Sequence, residues 1–449
     1  MAALQSWKIA YLVVVELARK YTKALVMGFF IGLSLSLIFW RAYPFISQRW
    51  LMPVIHIGMV GSFTPNTLPL SIQKKISFGL TTLATDGSPM PGLATSWVAS
   101  DSGKVFTFYL RNDLKWHNGK PVVASDINYN IKNVIFTVLN SSTIRAQLNN
   151  PYSPFPVILS KPLFQAGLNG FGQYKVSSIK LDGDTVSYLK LIPLSTSDSS
   201  LQAEEYRFYQ TETTAVTAYK LGEIDEIVDL TSPYDLRSWG KTSVTESTRY
   251  NRILTLFFNM SNDTLGDKSV RQALAFAVPE FPEEDAYSPI AKTSWAYTTD
   301  KVKKYTTDLK EAKNLLGTDK NSSSSASLTI TTFPEYVDTA QAIASNWKSV
   351  GIQTNVKVVN ALPQTYDVLL TAQDVPPDPD QYPFWHSTQT QTNITGYGNV
   401  KIDKLLEDGR EELDTNKRKA IYADFQRRLV DDAPAVFLYY AKSYTIRRK

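Results

Sequence analysis

The chain has no cysteine and only three histidines in 449 residues. The absence of cysteine excludes disulfide bonds, thiol catalysis and cysteine-ligated metal sites. The histidines stand at positions 56, 117 and 386, too far apart in sequence to predict a histidine-rich metal centre. We therefore expect no cofactor and no metal.

Motifs of hydrolytic enzymes are also missing. The sequence contains neither a Gly-x-Ser-x-Gly elbow nor a His-Glu-x-x-His motif. Residues 170–176 hold two closely spaced glycines, but no helical pattern follows them, so they do not predict a phosphate-binding loop. We predict that the protein is not an enzyme; a membrane-anchored hydrolase is the remote alternative.

The charge is small and evenly spread. The formal net charge is +5, from 47 basic and 42 acidic residues. Because these residues are interleaved, nucleic-acid binding is not expected. A chain of this length usually forms more than one hydrophobic core, so two or three structural units are expected.

An apolar run near the N-terminus predicts a membrane anchor. In residues 24–40 the polar interruptions are Ser34 and Ser36, and a helix of this length approaches the thickness of the hydrocarbon core. More lysines and arginines precede the run than follow it, which favours a cytoplasmic N-terminus. We predict a single-pass membrane protein in which residues 1–48 are cytoplasmic segment and anchor, and the large domain is extracellular or periplasmic. A cleaved signal peptide is the alternative.

Residues 91–131 carry the clearest local pattern. Leu93–Ala99 is strand-like, and Val105–Leu110 alternates so that one face is apolar. Ser125 stands where a helix N-cap would, before apolar residues at spacings of three and four. These residues are Ile127, Ile131, Val134, Ile135 and Val138. The pattern predicts a hairpin, a turn and an amphipathic helix.

Further elements are predicted downstream. Thr213–Leu221 reads as a helix that ends at Gly222. A strand at Leu328–Phe333, a helix with Trp347 on its apolar stripe and a strand from Ile352 predict a βαβ unit in a parallel sheet.

The 91–131 stretch resembles the signature of the family 5 extracellular solute-binding proteins, the peptide-, dipeptide- and nickel-binding subunits of ABC importers. The matching segments are Leu93-Ala94-Thr95-Ser96-Trp97, Phe108-Tyr109-Leu110-Arg111, Lys115-Trp116-His117-Asn118-Gly119-Lys120-Pro121 and Ala124-Ser125-Asp126-Ile127. Similar elements recur at Gly222-Glu223-Ile224-Asp225 and at residues 347–352. The resemblance covers about residues 53–448. It also implies that Arg271 locks a crossover by pairing with carboxylates or carbonyls, a ligand-facing role being the alternative.

The resemblance implies an α/β fold of two lobes, of the periplasmic-binding-protein-like type II class, with an additional β-rich subdomain and, in this chain, a preceding transmembrane helix. The first lobe is expected at 49–255, with the subdomain at about 76–164. The second lobe is expected at 256–431, and residues 432–449 are expected to return to the first lobe.

Ligand-binding residues follow from the same resemblance. Residues 374–382 are similar to the Asp-Pro-Asp segment that family members place at the ligand cleft, where an aspartate receives the charged amine of a bound peptide. Pro376 and Pro377 lengthen this loop, so Asp374 and Asp378 are both candidates. The predicted ligand-binding set is Asp374, Asp378, Asp380, Tyr382, Trp385, Trp116 and Tyr397. Plain turn chemistry for the aspartates and core packing for the aromatics stay open alternatives, and a calcium loop is a third reading that lacks its glycine and glutamate.

The function that the resemblance implies is capture of peptides between two lobes and delivery to an ABC permease with its ATPase subunits. Nickel, opine or oligosaccharide binding and a sensor role without transport are the alternatives. The partners expected are a small solute, the permease and the membrane; the protein is expected to be monomeric.

Overall fold

The computed structural model of the chain describes residues 19–50, 53–195, 201–317 and 327–449, together with Trp7, Tyr11, Val15 and Glu16. The α-helices are α1 Thr22–Trp50, α2 Leu70–Ile76, α3 Phe155–Ile158, α4 Glu212–Leu221, α5 Asp263–Gly266, α6 Lys268–Phe276, α7 Leu309–Gly317, α8 Val337–Ser349, α9 Tyr382–Trp385, α10 Val400–Glu411 and α11 Thr415–Asp432. The strands are β1 Val54–Val60, β2 Thr81–Leu83, β3 Pro89–Pro91, β4 Ala94–Ser100, β5 Val105–Leu110, β6 Val134–Asn140, β7 Thr143–Leu148, β8 Tyr174–Asp182, β9 Thr185–Pro193, β10 Ala203–Tyr209, β11 Glu226–Leu230, β12 Thr242–Phe258, β13 Ser327–Thr332, β14 Gln353–Val358, β15 Val368–Asp374 and β16 Ala435–Arg448. Short 3-10 turns lie at Asp101–Gly103, Ala124–Asp126, Tyr234–Ser238 and Pro334–Tyr336.

One ten-stranded sheet forms the frame, in the order β14-β13-β15-β12-β16-β11-β1-β10-β9-β8. Strands β8 to β11 and β1 lie at one end of this order, and β13 to β15 lie at the other. Separate apolar cores cover the two ends: one pair of cores packs around Ile57 and Ile227, and another pair around Leu256 and Phe257. We call these ends, with the helices packed on them, the first and second lobes.

Two long antiparallel strands, β12 and β16, run through both lobes. The first part of β12, from Thr242, pairs with the last part of β16, and the last part of β12 pairs with both the first part of β16 and with β15. The register between β12 and β16 shifts at two places, between Arg249 and Ile253 and between Leu254 and Thr255. Both places lie where the two lobes meet, and such interruptions are where a sheet bends most easily, so we call this stretch the hinge. The boundaries predicted at 255 and 431 stay predictions.

The β-rich subdomain is a four-stranded antiparallel sheet, β4-β5-β7-β6, with its own core around Phe106, Phe108 and Phe155. The predicted hairpin is confirmed, because β4 pairs with β5. The amphipathic helix predicted after Ser125 is wrong. A single 3-10 turn follows Val123, and residues 134–140 form β6.

The cause of this difference lies in the backbone and in the side chains. Asn130 and Asn133 adopt positive φ angles of 47° and 63°, which interrupt a right-handed helix. The following residues Val134, Ile135 and Val138 are β-branched and favour the extended chain. The apolar spacing of three and four was therefore coincidental.

Other local predictions are confirmed. Helix α4 ends at Gly222, which adopts the left-handed conformation with φ 82°. Strands β13 and β14 pair in parallel, with α8 between them, as expected for a βαβ unit.

Helix α1 contains the apolar run at residues 24–40. Within the residues that the structure describes, no helix combines the length and the apolar character that a membrane span requires. The predicted anchor is therefore not confirmed. Most of the cytoplasmic segment predicted before residue 19 lies outside the described residues.

Arg271 fastens the start of α6 to the end of α11, and its predicted structural role is confirmed. Its buried guanidinium donates to the carbonyls of Leu265 and Gly266, each at 2.9 Å, and to those of Asp432 and Ala433 at 2.7 and 3.1 Å. Burial is the largest influence on this group and lowers the pKa of Arg271, with nearby acidic and phenolic groups opposing it. The side chain thus satisfies backbone acceptors that the ends of α5 and α11 leave open.

Replacement of this arginine should destabilise the fold. Arg271→Met leaves several buried carbonyls without a donor, each lost bond costing about 1–3 kcal/mol, so we expect the melting temperature to fall by roughly 5–10 °C. Thermal unfolding followed by circular dichroism measures this. Arg428→Met is the matched control, because the exposed Arg428 pairs with Asp424 within one helix and should change little. Equal losses in the two variants would contradict the role of Arg271.

Candidate functional site

The strand directions define a cleft between the lobes. Strands β1, β10 and β11 run parallel to one another and in the direction of β12, so their carboxyl ends point toward the second lobe. Strand β15 runs opposite to β12, and β13 and β14 are parallel to β15, so their carboxyl ends point toward the first lobe. Ligands of α/β proteins bind beyond the carboxyl ends of strands. The structure therefore places two such ends face to face across the hinge.

Asp374 lies at this cleft, at the carboxyl end of β15. It pairs in register with Arg252, which lies within the hinge on β12. The Arg252 Nη1 donates to both carboxylate oxygens of Asp374, at 3.1 and 3.2 Å, and 67% of the Asp374 side chain is exposed. Burial disfavours the charged form of Arg252, but Asp374 and Tyr336 outweigh it and raise the pKa of the guanidinium. Asp374 thus offers a fixed, solvent-accessible negative charge.

Asp378 has a different environment from Asp374. Its side chain is buried and accepts two hydrogen bonds from the Arg418 guanidinium, at 2.6 and 2.9 Å. A third comes from the backbone amide of Asp380 at 2.9 Å. Arg418 is itself buried and donates from Nε to the Gly409 carbonyl. Asp378 therefore holds the loop onto helices α10 and α11.

Asp380 joins the second lobe to the β-rich subdomain. Its carboxylate accepts from Arg410 Nε at 2.9 Å and from the hydroxyl of Tyr152 at 3.2 Å. Burial raises the pKa of Asp380, although the Arg410 charge opposes this effect. The Arg410 guanidinium also lies over the ring of Tyr382, 3.9 Å from its centroid, so Tyr382 belongs to the same cluster.

Backbone contacts reinforce this join between subdomain and second lobe. The Ser153 amide donates to the Arg410 carbonyl at 2.6 Å, and the Trp295 amide donates to the Asp86 carbonyl at 3.1 Å. Gly87 packs so closely that a Cβ there would collide with the Pro377 carbonyl. The β-rich subdomain is therefore in direct contact with the second lobe in this structure.

The remaining predicted residues lie in cores. Trp385 is buried between Phe257 and Phe437 in the second lobe, and Tyr397 is buried with its hydroxyl 2.6 Å from Asp432 Oδ2. Trp116 is buried in the subdomain, where its Nε1 donates to Asp126 at 2.9 Å. The structure thus does not bring these aromatics together with Asp374. In the described part of the chain, no group of three or more His, Asp or Glu residues is placed to hold a metal ion.

Sequence reasoning missed Arg252 and Tyr336 as neighbours of Asp374. They stand 122 and 38 positions away from it in sequence. Arg252 is brought to Asp374 by the pairing of β12 with β15, and Tyr336, which follows β13, by the parallel pairing of β13 with β15. No local motif marks either residue.

Comparison with known proteins gives a consistent result. The sequence profile described as "Bacterial extracellular solute-binding proteins, family 5 Middle" matches residues 88–143 and 134–394. The dipeptide-binding protein DppE of Bacillus subtilis is 22% identical over 467 aligned positions, which cover 84% of each chain. The oligopeptide-binding protein AppA of B. subtilis is 26% identical over 297 positions, which cover 58% of this chain and 51% of AppA.

Solved structures share the fold. NikZ from Campylobacter jejuni, in complex with Ni(L-His), superposes with a TM-score of 0.71 and 22% identity over 88% of this chain and 94% of NikZ. AppA from B. subtilis, in complex with a nonapeptide, superposes with a TM-score of 0.66 and 19% identity over 88% of this chain and 94% of AppA. At such identities the likeness establishes the α/β periplasmic-binding-protein-like fold alone.

Melting temperatures of substituted proteins test the different roles of Asp374 and Asp378. Asp378→Asn leaves Arg418 buried without its counter-charge, which costs about 3–5 kcal/mol, so the melting temperature should fall by roughly 3–5 °C. Asp374→Asn removes an exposed pair worth about 0–1 kcal/mol and should leave it nearly unchanged. Thermal unfolding of both variants is the measurement. A larger loss from Asp374→Asn would overturn this assignment.

Proposed function

Since the chain belongs to family 5 of the bacterial extracellular solute-binding proteins, we propose that it captures peptides in the cleft between its lobes and delivers them to the permease of an ABC importer. The observation that carries the proposal is the exposed carboxylate of Asp374 at the carboxyl end of β15, beside the hinge. Of the two aspartates that the sequence left as candidates, this is the one with a solvent-accessible carboxylate; Asp378 is buried against Arg418.

Peptide capture follows from this chemistry. The α-amino group of a peptide is an ammonium, and a charge-assisted bond to a carboxylate is worth about 1.5–3 kcal/mol. A bound ammonium shares the Asp374 carboxylate with Arg252, whose guanidinium fixes the carboxylate in place. The remaining peptide backbone is extended and suits hydrogen bonding in a cleft.

Closure couples binding to delivery. A ligand that touches both lobes stabilises the closed form, because it binds that form more tightly than the open one. Contacts such as Tyr152 with Asp380 already join the subdomain to the second lobe in this structure. We propose that the permease, with its ATPase subunits, recognises this closed form of a monomeric protein and that no covalent chemistry occurs.

We retain the membrane anchor at residues 24–40 as part of the proposal. Large apolar side chains along this part of α1 are exposed in the structure, among them Phe29, Ile31, Leu35 and Trp40. Exposed apolar surface of this extent is unfavourable in water and is stabilised in a bilayer. Tethering would raise the concentration of the binder near its permease.

The proposed role of Asp374 predicts a selective loss of affinity. Asp374→Asn should weaken the binding of a free peptide by about ten- to a hundred-fold, which corresponds to about 1.5–3 kcal/mol. Isothermal titration calorimetry with a mixed peptide library, then with single peptides, measures this. The matched control is Asp113→Asn, which removes another largely exposed aspartate, paired with Arg111, and should leave affinity unchanged.

N-acetylated peptides sharpen the test. They lack the ammonium, so they should bind weakly to the wild type and equally weakly to Asp374→Asn. If the acetylated and free peptides bind alike, Asp374 does not receive the amine. If a nickel–histidine chelate, an opine or an oligosaccharide raises the melting temperature while peptides do not, the peptide assignment fails and that ligand replaces it.

The proposed anchor predicts membrane retention. After expression in bacteria, the full chain should sediment with the membrane fraction. It should also resist extraction by about 1 M salt, which screens interactions between charges beyond about 3 Å, because insertion of apolar side chains into the bilayer is not screened by ions. A variant that lacks residues 1–48 should appear in the soluble or exported fraction. Recovery of the full chain in the soluble fraction would exclude an uncleaved anchor.

A further inference from the structure

The N-terminal segment enters the first lobe at the end opposite the cleft. Val54 begins β1 and pairs with Ala203 at the start of β10, and the Ala203 amide donates to the Pro53 carbonyl at 3.1 Å. Helix α1 ends at Trp50, so four residue steps separate it from β1, at most about 14 Å. The amino ends of β1 and β10 therefore mark the side of the lobe that lies nearest to α1.

Lysines flank this entry point on both sides. On one side, Lys241 precedes β12 and Lys449 follows β16, with the Lys449 amide donating to the Lys241 carbonyl at 2.9 Å. On the other side, Lys175 lies near the start of β8, and Lys74 lies in the last turn of α2. Six strand spacings of about 4.8 Å separate β12 from β8, so the lysines span about 29 Å. The distance that these lysines span is larger than a single bound small molecule would cover.

The carboxylates at this end are already paired. Glu204 binds Lys75 at 2.7 Å, Glu205 binds Lys190 at 2.8 Å and Glu226 binds Arg447 at 3.1 Å. By contrast, the side chains of Lys74, Lys175, Lys241 and Lys449 form no ion pair within the described residues, and all but the half-buried Lys175 are exposed. These lysines thus add unpaired ammonium groups around the point where α1 approaches the lobe.

A groove beside Lys74 adds room for a charged group. It has a volume of about 510 Å³, and Lys74, Phe78 and Leu83 line it together with Lys75 and Arg111, which are paired with Glu204 and Asp113. A lysine beside apolar side chains suits a phosphate that carries an acyl chain.

We propose that this lysine-bearing end of the first lobe docks on the acidic phospholipid headgroups of the membrane. The proposal rests on the anchor described under the proposed function, which supplies the proximity, while the lysines supply the orientation. Each lysine near an acidic leaflet shifts the equilibrium between the undocked and the docked orientation by about five-fold. Four lysines together therefore strongly favour the docked orientation. Docked in this way, the cleft faces away from the bilayer, at the far ends of β1 and β10.

The test uses the full chain in lipid nanodiscs. Because the chain has no cysteine, Ser238→Cys introduces a single site for a fluorescent donor near Lys241, and a headgroup-labelled lipid is the acceptor. The neutral discs contain phosphatidylcholine alone. The acidic discs also contain phosphatidylglycerol, at about 30% of the lipid, which gives the bilayer a negative surface potential. The test variant replaces Lys74, Lys175, Lys241 and Lys449 with Gln. The matched control replaces the exposed second-lobe residues Lys313, Lys348, Lys357 and Lys401 with Gln, which lowers the net charge equally.

We expect energy transfer to be at least two-fold higher in acidic than in neutral discs. The difference should vanish in the test variant and persist in the control variant. Equal transfer in both disc types, or an equal loss in both variants, overturns the docking surface. Peptide titration of the same samples should give unchanged affinity, which separates this proposal from ligand binding.

Failure of the anchor is recognised separately. If the full chain does not incorporate into neutral discs, the anchor proposal fails, and docking is then measured by co-flotation with acidic vesicles at low salt. Retention of the wild type and the control variant, but not of the test variant, supports the surface. Absence of wild-type retention overturns it.

Discussion

The structure depends on the pairing of β12 with β16. These antiparallel strands are the elements that run through both lobes, and every other strand of the ten-stranded sheet is ordered outward from them. Their backbone hydrogen bonds hold each lobe in register, while shifts between Arg249 and Ile253 and between Leu254 and Thr255 interrupt the ladder within one short stretch. Interruptions in a ladder concentrate bending there, since the rest of each strand is held by its neighbours. The cleft and the hinge are thus consequences of the same pair of strands.

The aspartates at the end of β15 and in the loop after it have different environments. Asp374 stays accessible beside the hinge, whereas Asp378 and Asp380 are each committed to an arginine of the helices behind the loop. Buried carboxylates require such partners, because desolvation of an unpaired charge is costly. The loop that follows the accessible carboxylate is therefore held by buried ion pairs, while Asp374 itself is held by the pairing of β15 with β12. Tyr152 extends the same network to the subdomain, so this loop also joins the subdomain to the second lobe.

The sequence predicted the parts of the fold that depend on near neighbours. The cap at Gly222, the βαβ unit around α8 and the structural role of Arg271 follow from turn chemistry, periodicity and a resemblance that covers the relevant segment. The helix predicted after Ser125 failed because residues 134–138 satisfy two periodicities, and pairing with β7 decides between them. The site was predicted only as a loop with several candidate aspartates. The choice among them depends on burial against Arg418 and Arg410 and on the register of β12 with β15, which are long-range properties that local patterns do not contain.

This separation of duties has an evolutionary consequence. Under the proposed role of Asp374, substitutions at Arg252 or Asp374 alter the charge that a solute meets, yet they touch none of the ion pairs that fasten the loop. A change of cargo through these positions would leave the scaffold's ion pairs in place.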